Sequence, residues 1–325
     1  MKLEVNLASL AMKNPFTVAS GTFASGKEFA EIWQNSPELL EESLNRTLRP
    51  FSFDPKAPLS LLGAVTTKGV SLEPWLGNEG IRITETASGI LNSIGLQNPG
   101  VEEFCSTDLS WLSTQKVPVV VNISGHTIDE YAAVIQRLER EKTIDAYEIN
   151  ISCPNVDCGG MSFGTDIAAA GDVTKACRKV TDRTLIVKLT PNVTDIAEIA
   201  RACEANGADA LSLINTVGGM AIEARSRTSV FDRKVAGLSG PAIKPIALYA
   251  VHRVSQAVRL PLIGMGGISK AEDVVEFLLA GASAVAIGSH NFTDPLAVLH
   301  LLAGFIRWCD GEGVRDVHEL IGGLR

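Results

Sequence analysis

Residues 146–160 read Ala146-Tyr147-Glu148-Ile149-Asn150-Ile151-Ser152-Cys153-Pro154-Asn155-Val156-Asp157-Cys158-Gly159-Gly160. The first half mixes aromatic and β-branched residues in a short run and predicts a strand. Proline cannot continue a central strand, so the break at Cys153-Pro154 puts the thiol where strand becomes loop. Asn150 and Asn155 flank it with uncharged donors and acceptors. A thiol among neutral amides suits a small, flat, polar substrate that must lose a proton. Taken alone, Cys153 would more often be a buried structural thiol, since free cysteine is among the most buried residue types. The pattern of the remaining chain favours function.

Working outward, the same strand-then-helix unit recurs on both sides. Short apolar strands are predicted at 16–19, 64–67, 117–123, 185–189, 210–214, 262–265 and 284–287, besides the one leading to Cys153. Helices are predicted at 27–34, 167–180, 195–205 (closed by Asn206-Gly207), 241–257 and 295–308. Two more open on capping boxes, Thr127 with Glu130, and Ser269 with Glu272 for a helix ending near Gly281. Residues 3–15 read as a hairpin ahead of the series. Strands without polar alternation belong to parallel sheets covered on both faces. Eight such units with no linker predict one (β/α)₈ barrel, an α/β TIM barrel spanning 1–325 as a single domain. A doubly wound sheet is the alternative, but the first turn, Ser20-Gly21-Thr22, lacks G-x-G-x-x-G. Loops at 71–100 and 215–240 are long enough to be functional. Residues 36–62, with Pro37, Pro50, Pro55 and Pro58, read as an insertion or a partner-contacting excursion.

With 325 residues, 46% of them apolar, the chain can bury a large core. A net charge of −8 argues against a sequence-independent nucleic-acid binder. Six cysteines without paired spacing, and no continuous apolar signal region at the N-terminus, predict a cytoplasmic protein with reduced thiols. The longest apolar stretch, 296–306, is too short to span a bilayer and contains His300, so no membrane anchor is expected. Cys158 has no second Cys/His pair at ligand spacing, and the five histidines form no cluster. No metal site is predicted.

In such a barrel the active site lies at the C-terminal strand ends. Those ends carry Ser20-Gly21, Lys68-Gly69, Asn122, Asn150 to Asn155, Lys188, Asn215-Thr216, Gly266-Gly267 and Gly288-Ser289. Two lysines, four asparagines and a cysteine on one rim point to a binding site. The glycine pairs after the last two strands match the usual phosphate site of this fold, where backbone N–H groups and a helix N-terminus receive the dianion. Lys188 could form a Schiff base. It could instead be a fixed cation beside a flavin pyrimidine ring. The neutral amides favour the flavin, because they suit a flat heterocycle better than a sugar phosphate.

Six motifs together resemble the dihydroorotate dehydrogenases of class 1. They are Asn150-Ile-Ser-Cys153-Pro-Asn155, Leu91-Asn92-Ser-Ile-Gly-Leu96, Val187-Lys188-Leu-Thr-Pro, Ile214-Asn215-Thr216, Leu238-Ser-Gly240-Pro and Gly264-Met-Gly-Gly-Ile268. The likeness runs in order from about residue 3 to about 310. Cysteine at 153 marks class 1, whereas class 2 has serine there and an N-terminal membrane segment. Residues 155–164 are similar to the 1B subtype. The resemblance implies oxidation of dihydroorotate to orotate in pyrimidine synthesis, with Cys153 as the base at C5 and a hydride passing from C6 to flavin mononucleotide. It implies that Lys68, Asn92, Ser93, Ile94, Gly95, Leu96, Asn150, Asn155, Asn215 and Thr216 hold the substrate. It implies one flavin mononucleotide per chain held by Ser20, Gly21, Lys68, Gly69, Asn122, Asn150, Lys188, Ile214, Gly240, Gly266, Gly267, Gly288 and Ser289. It further implies a homodimer within a heterotetramer, whose other subunit carries FAD and a [2Fe–2S] cluster and passes electrons to NAD⁺. The alternatives weighed are a class 1A-like enzyme using fumarate, a dihydrouridine synthase-like barrel acting on tRNA, and a barrel that has lost chemistry. The acidic balance and the absence of a C-terminal extension oppose the second, and the intact Cys153 and Lys188 oppose the third. Three features depart from the family pattern: residues 36–62 are longer than the usual connection, and Ala24 and His290 stand where glycine and a small residue are favoured.

Overall fold

The computed structural model describes residues 1–35, 46–48, 54, 56–152 and 163–325. Cys153, Asn155 and Cys158 lie outside the described residues, as does most of 36–62. Eight parallel strands form a nearly closed barrel: β1 Phe16–Val18, β2 Val65–Thr66, β3 Val119–Ile123, β4 Ile144–Asn150, β5 Thr184–Lys188, β6 Ala210–Leu213, β7 Leu262–Gly264 and β8 Ala284–Ile287. Neighbours pair in chain order from β2 round to β8, and β8 pairs with β1. Between β1 and β2, the Gly63 and Ala64 amides donate to the Phe16 carbonyl at 2.9 and 3.4 Å, and the Thr17 and Thr66 hydroxyls lie 3.2 Å apart.

Burial explains why these runs are strands. All residues of β1, β3 and β5 are buried, as parallel strands packed between a barrel interior and a ring of helices must be. Each fully buried valine or isoleucine there contributes roughly 1.5–3 kcal/mol relative to exposure. The register sets Asn122 beside Glu148, Asn150 beside Lys188, and Lys188 beside Ser212. Residues two apart share a face, so Glu148 and Asn150 line the same side of β4.

The N-terminal hairpin, Val5–Leu7 with Leu10–Met12, closes the lower end of the barrel. Leu7, Leu10 and Met12 are buried, and the Ser9 hydroxyl meets that of Thr184, the first residue of β5, at 2.7 Å. The opposite end is covered by an antiparallel sheet ordered Val217–Gly219, Ala236–Ser239, Gly89–Asn92, Ile83–Thr86. The two long loops are therefore not irregular. Each folds into strands that pair with strands of the other.

Three local expectations need correction. The sequence pattern predicts no helix between β2 and β3, yet residues 101–112 form one continuous helical segment with a π-type turn at Cys105–Leu109. Cys-Ser-Thr-Asp are weak helix formers, and burial of Val101, Phe104, Leu109 and Leu112 overrides that preference. The second capping box forms one residue later than expected. Asp273, not Glu272, accepts the amides of Ser269 and Lys270, each at 2.8 Å. At Thr127 the cap forms as expected on the Glu130 amide, but the Glu130 carboxylate reaches back to His126 instead of Thr127. The described cysteines Cys105, Cys177, Cys203 and Cys309 are free. Among the described residues no helix is long and apolar enough to cross a membrane, and no group of three or more His, Cys, Asp or Glu could hold a metal ion.

Candidate active site

The barrel rim and the covering sheet enclose one cavity. It has about 1360 Å³ of space between atoms, part of it open to solvent. From the rim it is lined by Ser20, Gly21, Lys68, Gly69, Asn122, Asn150, Lys188, Ile214, Asn215, Thr216, Gly266, Gly267, Gly288 and Ser289. From the covering sheet and its loops come Asn92, Ile94, Gly95, Leu96 and Gly240. Every expected site residue among the described ones lines it, with one exception. Ser93 is 3% exposed, its hydroxyl accepts from the Asn78 amide at 2.9 Å, and it does not line the cavity. Alternation along the hairpin turns Ser93 away where Asn92 and Ile94 face in.

Lys188 is 4% exposed, its Nζ 3.4 Å from the Ser20 hydroxyl and 3.7 Å from the Glu148 carboxylate. Lys68 follows the end of β2, and its backbone amide donates to the Ala24 carbonyl at 3.0 Å. Burial, and next the charge of Lys188, hold the Lys68 ammonium below the usual lysine pKa. Asn150 Oδ1 accepts from the Ser152 amide at 3.2 Å and from Asn215 Nδ2 at 3.4 Å. Asn215 Oδ1 in turn accepts from the Thr216 amide at 2.8 Å. Asn92 donates to the Gly237 carbonyl at 3.2 Å, tying the two long loops together over the cavity.

Two observations test whether a flavin fits. Asn122 Oδ1 is buried without a partner, an acceptor waiting for a donor. A Cβ on Gly69 would meet Ser124 Oγ at 2.8 Å and Asn122 Oδ1 at 3.1 Å, so only glycine leaves the rim open there. An unpaired acceptor, a fixed cation and glycine-lined backbone suit a flat heterocycle carrying N–H donors and a phosphate tail. The residues present fit flavin mononucleotide.

The sequence profile of the dihydroorotate dehydrogenase family matches residues 52–307. The chain belongs to the dihydroorotate dehydrogenase family. It is 48% identical over 320 residues to the dihydroorotate dehydrogenase B (NAD(+)) catalytic subunit of Alkaliphilus oremlandii, covering 98% of each chain. Identity to the protein of the same name from Alkaliphilus metalliredigens is 46%, over 100% of this chain and 99% of the other. For that from Pelobacter propionicus it is 47%, over 99% and 98%.

Two of the three departures from the family pattern have a structural setting, and the third, 36–62, lies mostly outside the described residues. Ala24 lies at φ 50°, ψ −124°, a region that favours glycine. The His290 ring is tied to the Thr293 hydroxyl at 2.9 Å and does not line the cavity, although Ser289 beside it does. Two residues escaped the sequence reading. Glu148 and Ser212 lie in the interior beneath the cavity, buried and bonded to each other at 2.7 Å. The signal that singled out Lys188, a charge inside an apolar strand, was present at Glu148 as well.

Proposed function

We propose that this chain oxidises (S)-dihydroorotate to orotate and is the catalytic subunit of an NAD⁺-linked enzyme. One observation carries the reading. A chain 45–48% identical over nearly its whole length to proteins of that name gathers two lysines and four asparagines on one cavity. A bound flavin mononucleotide supplies the acceptor for the hydride that leaves C6. Cys153, at the start of the segment after β4, takes the proton from C5, and the pair left on carbon completes the C5–C6 double bond. Asn92, Asn150, Asn155, Asn215 and Thr216 hold the ring by its amide edges, with Ile94, Gly95 and Leu96 closing over it. Lys68 pairs with the substrate carboxylate and orients it. Lys188 would serve as a fixed cation beside the flavin pyrimidine. Ser20, Gly21, Gly69, Asn122 and Ile214 seat the ring system, and Gly240, Gly266, Gly267, Gly288 and Ser289 receive the phosphate through backbone amides. The covering sheet excludes water, which strengthens each of these polar contacts. Electrons leave through a partner subunit carrying FAD and [2Fe–2S], on a homodimeric core.

The test is optical. The purified chain should be yellow, and dihydroorotate should bleach it in the absence of air. A yellow protein that ignores dihydroorotate, or a chain that takes up no flavin, overturns the reading.

A further inference from the structure

We propose that Glu148 is a positioning residue: it tempers the positive charge that Lys188 presents to the cavity and dictates which way the Asn122 amide faces. The proposal rests on the flavin reading of the site given above. Glu148 is 2% exposed, in the middle of a barrel strand, where a charge is kept only if it is paired. Its partners come from three other strands. Asn122 Nδ2 donates to Oε2 at 2.5 Å, the Ser212 hydroxyl donates to Oε1 at 2.7 Å, and Lys188 Nζ lies 3.7 Å from Oε2.

Two consequences follow. An ionised carboxylate only accepts, so the Asn122 amide must turn its NH₂ toward Glu148. Its Oδ1 is then left buried, unpaired and beside Gly69, available to a ligand donor. Glu148 is thus the reason the cavity presents an acceptor at that point. The second consequence is electrostatic. Lys68 and Lys188 both line the cavity, and burial with the nearby Lys188 charge already depresses the Lys68 ammonium, so these fields overlap. Among the described residues, Glu148 is the one carboxylate within ion-pair distance of either lysine. Without it Lys188 acts unopposed, in surroundings where a nearby charge is weakly screened. A flavin gains negative charge on reduction, so Glu148 should hold its reduction potential down.

The experiment is a redox titration of the flavin-loaded chain and its Glu148→Gln variant against reference dyes. Glutamine keeps the volume and removes the charge. The preference for reduced over oxidised flavin should rise about 10-fold, which is about 30 mV for a two-electron couple. A potential that stays put or falls overturns the proposal. Glu148→Asp keeps the charge and should stay within about twofold of the parent on the same scale. An aspartate shift as large as that of glutamine would assign the effect to packing and overturn the role of charge. Should Glu148→Gln fail to fold or hold flavin, Ser212→Ala removes one donor from the carboxylate with little change in volume. Its negative charge is then less compensated, and the preference should move the other way by about twofold to threefold; no movement there also overturns the proposal. Flavin uptake and bleaching by dihydroorotate in the parent chain separate the two failures. If the parent is not bleached, the reading of the site falls; if it is bleached and the variants do not move, only the role of Glu148 falls.

Discussion

Lys68 and Lys188 share a cavity, and burial plus mutual repulsion leave Lys68 easier to deprotonate than a lysine in water. An anionic ligand selects the protonated form. As pH rises through the lowered pKa of Lys68, orotate binding must also take up a proton, so affinity falls about tenfold per pH unit. That decline should begin at lower pH than an ordinary lysine allows, and Lys68→Arg, which stays charged, should flatten it. Orotate dissociation constants from flavin absorbance between pH 6 and pH 10 would check this, and a parent curve as flat as that of the arginine variant would contradict it. For Cys153→Ser the expectation is retained flavin and a loss of turnover of about 10²–10⁴ near neutral pH, partly recovered at high pH. Turnover equal to the parent would remove Cys153 as the base. Ala24, at φ 50°, carries a conformational penalty glycine would not. Ala24→Gly should raise stability by about 1 kcal/mol, read from denaturant midpoints at unchanged slope.

Among the elements, the covering sheet has the narrowest tolerance. Gly240 sits at φ 102°, and a Cβ there would come within 2.6 Å of the Gly89 Cα, where the loops from β2 and β6 meet. Gly240→Ala should push the two strands apart over the flavin and speed its release at least about 10-fold, a cost of at least about 1.4 kcal/mol in retention. Flavin released per chain during dialysis measures it. The elements also show which rules read well from a distance. Strand ends fall within a residue of where expected, and the Asn206-Gly207 stop of helix Ile196–Ala205 stands where expected, because both follow from local chemistry. The second capping box shifted by a residue and the Glu130 carboxylate of the first reached past Thr127, because several side chains near a helix start can reach the same free amides and only the packed geometry selects among them.

At the scale of the molecule, the cavity opens at one end of the barrel while the N-terminal hairpin seals the other. A ligand therefore enters and leaves by that one open face. The isolated chain should accept electrons from dihydroorotate readily and pass them to NAD⁺ slowly, since no G-x-G-x-x-G dinucleotide turn occurs after its first strand. Adding an iron–sulfur flavoprotein subunit should raise NAD⁺ reduction at least about 10-fold, followed by NADH absorbance. Rapid NAD⁺ reduction by the chain alone would contradict the proposed division of labour.

The amino-acid order alone determined the eight apolar strands, the barrel they close into, and the polar residues at their C-terminal ends. Those are properties of short windows, where alternation, β-branching and a breaking proline or glycine act within a few residues. Tertiary structure alone decided that residues 83–92 and 217–239 pair into one covering sheet, that Ser93 faces away from the cavity, and that Glu148 bonds Asn122 and Ser212 beside Lys188. Each of those depends on partners brought together from tens to more than a hundred positions away, as in the Asn92–Gly237 hydrogen bond. No local pattern carries that information, because the free energy that selects such a pairing exists only once the barrel beneath it has formed.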